Sequence, residues 1–130
     1  MVNVQLKSLE VNHMFADPQS VTVNAVAQSM PRVQIDGRKA VYQKSDGTFT
    51  LTISHQAVSG DRVRSMARID QKAIVPDPLT AVNDYETLSF YVVIDRPLVG
   101  FSSTQTDQLI TGFKTWLDST CIGKLYGQES

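Results

Sequence analysis

The chain has 130 residues, 42% of them hydrophobic, with 12 basic and 13 acidic side chains for a net charge of −1 at pH 7. That length suits one domain, the apolar fraction excludes wholesale disorder, and the charge balance excludes a general attraction of the whole molecule for nucleic acid, though not a segregated basic face. A lone Cys121 excludes an intrachain disulfide and a multi-cysteine metal site; the first residues do not read as a signal peptide, and no run is long enough to span a bilayer, so no membrane partner is expected.

Val2, Val4 and Leu6 alternate with Asn3 and Gln5 and predict a first strand, reaching Val11 after a bulge. Asp17-Pro18 marks a turn, and Val21 and Val23 alternate with Thr22 and Asn24 as a second strand. Residues 1–27 are therefore expected to form an N-terminal hairpin.

A main sheet is expected over residues 31–96. Pro31 opens it, with Val33 and Ile35 on one side, and Asp36-Gly37 is a tight-turn signal. Ala40 to Lys44 is the next strand, and Asp46-Gly47 a second turn. From Thr48 to Gln56, Phe49, Leu51 and Ile53 face one way and Thr50, Thr52 and Ser54 the other, the mark of a sheet with one wet face. After Ser59-Gly60-Asp61, a strand from Arg62 to Lys72 sets Val63, Ala67 and Ile69 against Arg62, Arg64, Met66 and Arg68. In residues 73–82, Pro76 and Pro78 argue against a central strand, so a long apolar loop is expected there. Ile74, Val75, Pro76, Asp77, Pro78 and Leu79 would suit contact with another molecule. Asp84 to Asp95 is the last strand, with Leu88, Phe90, Val92 and Ile94 on one parity and Thr87, Ser89, Tyr91 and Val93 on the other.

The period then becomes helical over residues 102–127. Leu109, Phe113, Trp116 and Leu117 recur at helical spacing between Thr104 and Asp118, and Thr104 with Asp107 makes a weak capping box, with Ser102 and Ser103 as further caps. A second short helix, Thr120 to Gly127, is expected to bury Ile122, Leu125 and Tyr126. Strands first and helix last predict an α+β fold: hairpin, five-stranded antiparallel sheet, C-terminal helices. One amphipathic helix covers only part of such a sheet. A partner subunit's helix would complete the cover, which makes Leu109, Phe113, Trp116 and Leu117 the expected dimer interface.

Catalytic chemistry finds little support. His13 and His55 stand in no metalloprotease or nucleophile motif, and Cys121 sits beside Ile122 and Leu125 as a buried thiol would. Asp77, Asp84, Glu86 and Asp95 follow no EF-hand pattern, and the sequence leaves a metal open. No enzyme activity and no cofactor are expected. The polar sheet face is more informative. Arg62, Arg64 and Arg68 share one face of their strand, Tyr42 and Lys44 one face of another, and Thr87, Ser89 and Tyr91 one face of the last. With Thr50, Thr52 and Ser54 these residue types suit single-stranded RNA, through arginine forks on phosphate and tyrosines under bases. From the pattern alone an ordinary solvated sheet face is the favoured reading, with nucleic-acid binding second.

The chain resembles the coat proteins of the single-stranded RNA bacteriophages, the levivirus group, in its whole layout. Its ending, Phe113-Lys114-Thr115-Trp116-Leu117 and Gly123 to Ser130, is similar to a Caulobacter-phage branch of that group. The resemblance implies a homodimer with two sheets joined edge to edge and helices crossed over the partner, then an icosahedral shell of dimers around the genomic RNA. It implies that Tyr42, Lys44, Thr50, Thr52, Ser54, Arg62, Arg64, Arg68, Thr87, Ser89 and Tyr91 face inward, and that residues 73–82 lie at the shell's vertices. In several members a dimer also binds an RNA hairpin and represses translation. The location implied is the virion, and the bacterial host cytoplasm during assembly. The rival reading is a cellular homodimeric module that binds RNA or another ligand; a small enzyme using Cys121 or a histidine is a distant third.

Overall fold

The structure is a computed structural model that describes residues 15–58, 60–79 and 82–130. The predicted strand at Val2–Leu6 and its extension to Val11 lie outside the described residues, as does His13. Two strands, β1 (Gln19–Val23) and β2 (Val26–Met30), form a hairpin. Five more, β3 (Arg32–Asp36), β4 (Lys39–Gln43), β5 (Phe49–Val58), β6 (Arg62–Pro76) and β7 (Asn83–Pro97), form an antiparallel sheet in sequence order. Helices α1 (Ser103–Trp116) and α2 (Ser119–Tyr126) follow. Among the described residues, Val21 and Val23 belong to a strand paired with residues 26–30.

Turn chemistry explains the order. Asp36 pairs with Lys39, so Gly37 must turn within two residues, and it does so at φ +54°; Gly47 turns the next hairpin at φ +76°. The β1–β2 turn is tighter than its sequence suggests, because Asn24 and Ala25 both take positive φ, 52° and 64°.

Register assigns every strand residue to a face, since cross-strand partners point the same way. Tyr42 opposes Leu51, and Leu51 opposes Ile69 and, beyond it, Phe90. One face therefore carries Tyr42, Phe49, Leu51, Ile53, Ile69, Leu88, Phe90 and Val92. The hairpin lies on the β4–β5 half of this apolar face. Met30, Tyr42, Phe49 and Ile53 form the buried core there, with Val21, Val23, Ala40, Leu51 and Ile69 against them. The Lys44 ammonium, 2.8 Å from the Gln28 amide oxygen, ties the hairpin to the sheet.

Among the described residues the β6–β7 half has no such cover: Leu88, Phe90 and Val92 are exposed. The helices do not supply it, for neither α1 nor α2 buries a residue. The first turns of α1 stand beside the sheet across an open cleft lined by Ser65, Ile94, Arg96, Phe101, Asp107 and Ile110. The helix itself is well made. Ser102 is the N-cap and exchanges hydrogen bonds with Gln105 in a full capping box, which replaces the Thr104–Asp107 pair expected from sequence; Gln reaches back to the cap backbone more easily than Asp. Asp118 caps α2 by accepting from the Cys121 amide at 2.9 Å. The predicted burial of Ile122, Leu125 and Tyr126 is absent in the single chain, where all three are exposed.

The loop expected over residues 73–82 is shorter. Ala73 to Pro76 continue the ladder, with Pro76 opposite Asn83, so Ile74, Val75 and Pro76 are strand residues and the connection spans 77–82. Beyond Lys72, whose amide still donates to the Thr48 carbonyl at 2.8 Å, no strand among the described residues pairs with β6 on the side away from β7, so a proline nitrogen can face that side without breaking a ladder bond.

Ala25 carries a Cβ in a left-handed conformation that glycine adopts freely. Ala25→Gly is expected to raise stability by about 1 kcal/mol, read from the denaturation midpoint, whereas an unchanged or lower midpoint would contradict the turn geometry.

Candidate nucleic-acid interface

The opposite sheet face is mainly polar, with Val41, Met66, Val93 and Ile74 interspersed. On β5 it presents Thr50, Thr52 and Ser54; these oppose Asp70, Arg68 and Met66 of β6. On β7 it presents Tyr85, Thr87, Ser89, Tyr91 and Asp95, opposite Ile74, Lys72, Asp70, Arg68 and Arg64. Arg62 lies on this face at the ladder's end. The structure thus brings Thr50, Thr52, Ser54, Arg62, Arg64, Arg68, Thr87, Ser89 and Tyr91 together, as their parity predicts.

Tyr42 and Lys44 do not belong with them. Val41 and Gln43 are the β4 residues that oppose Thr52 and Thr50, which turns Tyr42 to the hairpin side. Tyr42 is 1% exposed, its ring packs in the core, and its hydroxyl accepts from Arg32 Nε at 3.4 Å. Lys44 has the same parity and is engaged by Gln28 and by Asp46 at 3.5 Å. An aromatic ring with a polar tip fits a core as well as a wet face, and only register distinguishes the two.

The structure adds Lys72, Tyr85 and Lys39 to this face. Lys72 lies over the Tyr85 ring at 4.6 Å, and Arg68 over the Tyr91 ring at 5.9 Å, two cation–π pairs along the outermost ladder. Lys39 opposes Ser54 at the far side. Lys72 and Tyr85 share the parity already evident from Arg62 and Tyr91, so the signal was present.

The arginines are not bare. Arg68 Nε donates to Asp70 at 3.0 Å, and Ser89 donates its hydroxyl to the same carboxylate, which is only 20% exposed. Arg62 Nε donates to Asp95 Oδ1 at 2.8 Å, while Arg64 Nη2 lies 3.5 Å from Asp95 Oδ2. The hydrogen bond from Arg62, then its charge and that of Arg64, hold the Asp95 carboxyl below the usual aspartate range. A carboxyl whose pKa is depressed on folding contributes stability above its unfolded value and loses it as pH falls through the lowered one. The Asp95 pairs therefore persist across neutral and mildly acid pH.

On the apolar face, His55 shares a 2.9 Å hydrogen bond with Ser65 through Nδ1, and Cys121 is a half-exposed thiol on α2. The two are not brought into a nucleophile–base pair by any contact described.

A hairpin on half of a five-stranded antiparallel sheet, a polar opposite face and C-terminal helices clear of their own sheet constitute the coat-protein fold of the RNA phages. The virus-like particle of bacteriophage AVE019 contains a chain with a TM-score of 0.72 at 11% identity, over 85% of this chain and 93% of that one. The virus-like particle of Beihai levi-like virus 21 gives 0.67 at 12%, over 90% and 98%, and the capsid protein of bacteriophage GA 0.58 at 10%, over 86% and 95%. At such identities the likeness is one of fold. No curated protein sequence matches the chain. The family model described as "Phage phiCb5, coat protein" matches residues 16–97, well over half of the chain, and the chain belongs to that family.

Tyr42→Ala is expected to cost about 3–5 kcal/mol of stability, as for other large core truncations, while the protein that remains folded binds RNA as the parent does. Weakened RNA binding with unchanged stability would return Tyr42 to the polar face.

Proposed function

We propose that the protein is a capsid subunit that forms a homodimer, assembles into an icosahedral shell and packages single-stranded genomic RNA against its polar sheet face. The observation that carries this reading is the uncovered apolar half of the sheet beside helices that bury nothing. Leu88, Phe90 and Val92 on the sheet, and Leu109, Phe113 and Trp116 on α1, are all exposed in the single chain. Each such side chain is worth roughly 1.5–3 kcal/mol when fully buried. A second copy offers what the first lacks: its helices supply the cover and receive the same in return. β7 is also an edge strand of 15 residues whose outer side is unpaired among the described residues. Pairing two β7 strands across a two-fold axis would satisfy those backbone groups and place helices over the neighbouring sheet. Leu117 continues the apolar helical surface as its C-cap.

Asp77 to Leu79, at the tip of the β6–β7 ladder, form the contact between dimers in this reading, with Ile74, Val75 and Pro76 as its stem. Leu79 stands almost fully exposed there, and the Asp77 carboxylate accepts from its amide at 2.9 Å, which shapes the tip. The polar face supplies phosphate and base contacts to the RNA. A dimer acting as a translational repressor would dock its RNA hairpin on the same face. Assembly would take place in the bacterial host cytoplasm, with the virion as destination. The similarity of Phe113–Leu117 and of residues 123–130 to the Caulobacter-phage branch supports placing the chain there.

Electron microscopy of the purified protein tests the shell: closed particles of uniform size containing RNA are expected, and free dimers alone would favour a cellular binding module. Dilution in the analytical ultracentrifuge tests the dimer, which is expected to lose structure as it dissociates; a folded monomer at nanomolar concentration would refute it. Trp116 is 57% exposed in the single chain, so Trp116→Ala should leave a folded monomer untouched. In an obligate dimer it should cost about 3–5 kcal/mol, with a protein-concentration-dependent midpoint.

A further inference from the structure

Each arginine of the polar face meets a carboxylate, but the two meetings differ. At Asp70 one arginine meets one carboxylate, largely buried and also bound by Ser89, so the charges cancel within a closed hydrogen-bonded unit. At Asp95 two arginines meet one carboxylate. Arg62, Arg64 and Asp95 have side chains 45%, 48% and 41% exposed, open to the face and carrying a surplus positive charge. Arg62 also donates through Nη2 to the Asp95 backbone oxygen at 3.2 Å, which fixes the plane of its guanidinium. Two guanidinium groups aimed at one bidentate oxyanion form the arrangement that grips a phosphate.

We propose that Arg62 and Arg64 form a clamp for an RNA backbone phosphate, and that Asp95 is an internal competitor which occupies the clamp and sets its strength. This rests on the reading of the polar face as the RNA surface. Phosphate enters by taking over guanidinium donors from Asp95, whose carboxylate then returns to water. Every such contact is thereby weakened, because the gain on phosphate is offset by the loss on Asp95 and by repulsion between the two anions. A neutral asparagine keeps the shape and removes the competitor. Arg68 has no comparable surplus and acts as a fixed part of the sheet beside the Tyr91 ring.

The test is filter binding of a mixed-sequence single-stranded RNA oligonucleotide to the dimer across a salt series, with the parent, D95N, R62A/R64A and the triple variant. D95N is expected to bind roughly three- to tenfold tighter, the effect of removing one unit of charge a few ångströms from a phosphate at an exposed surface. Its dependence of log K on log salt should steepen by up to about 0.7 per phosphate engaged. In the R62A/R64A background the same substitution should change affinity by less than about twofold; a full-sized gain there would mean general charge and no clamp. If R62A/R64A binds RNA as the parent does, this part of the face is not an RNA surface and the underlying reading fails here. If R62A/R64A weakens binding but D95N does not strengthen it, the competitor alone is refuted. A measurement on the unaltered dimer guards against misfolded variants. Carboxylate NMR should show Asp95 titrating closer to the ordinary aspartate range when the oligonucleotide is bound, and inorganic phosphate at equal phosphate concentration should produce a smaller change. An Asp95 titration unmoved by RNA overturns the proposal.

Discussion

An antiparallel sheet with one apolar face must have that face covered along its whole width, and the described residues of this chain cover only part of it. The N-terminal hairpin closes the β4–β5 half over Met30, Tyr42, Phe49 and Ile53. The other half, built on the two longest strands, faces outward with Leu88, Phe90 and Val92. The helices bury no residue fully, and Leu109, Phe113, Trp116, Ile122 and Leu125 on them are exposed as well. Half of the sheet's apolar face and the apolar residues of the helices are thus exposed together in the single chain. The proposed self-association rests on this mismatch more directly than on any single contact.

The two faces handle exposure differently. On the apolar face the deficit is hydrophobic and calls for burial. On the polar face the exposed groups are charged, and the chain tempers them internally: Asp70 neutralises Arg68, and Asp95 is shared by Arg62 and Arg64. The cations left without a carboxylate in that network, Lys39 and Lys72, lie at opposite sides of the sheet. In the proposed RNA-packaging role such a face would hold a polyanion by many modest contacts and not by one dense cluster, which suits a protein whose net charge is −1.

Much of this was legible along the chain because strand periodicity is strictly two. Phe49, Leu51 and Ile53 against Thr50, Thr52 and Ser54, or Arg62, Arg64 and Arg68 against Val63, Ala67 and Ile69, sort themselves into faces without reference to any neighbour. Where strands are short the same rule loses force. β4 has five residues with apolar and amphipathic side chains on both parities, so Tyr42 and Lys44 were assigned to the wrong side. Pro76 read as a loop residue because sequence does not reveal that β5 begins only at Phe49 and leaves the end of β6 an open flank. The Asp70 and Asp95 pairings were equally hidden: each carboxylate meets an arginine through cross-strand register or rotamer.

The sequence by itself determined the number of main-sheet strands, their tight turns, the helical end and the parity of the long strands, since each depends on residues close together in the chain. Tertiary structure alone decided which half of the apolar face the hairpin covers, that the helices leave the rest bare, and that the arginines are shared with carboxylates. Those features depend on register between strands and on the direction in which a helix leaves its sheet. Both are set by contacts between residues far apart in the chain, and a local pattern carries no record of them.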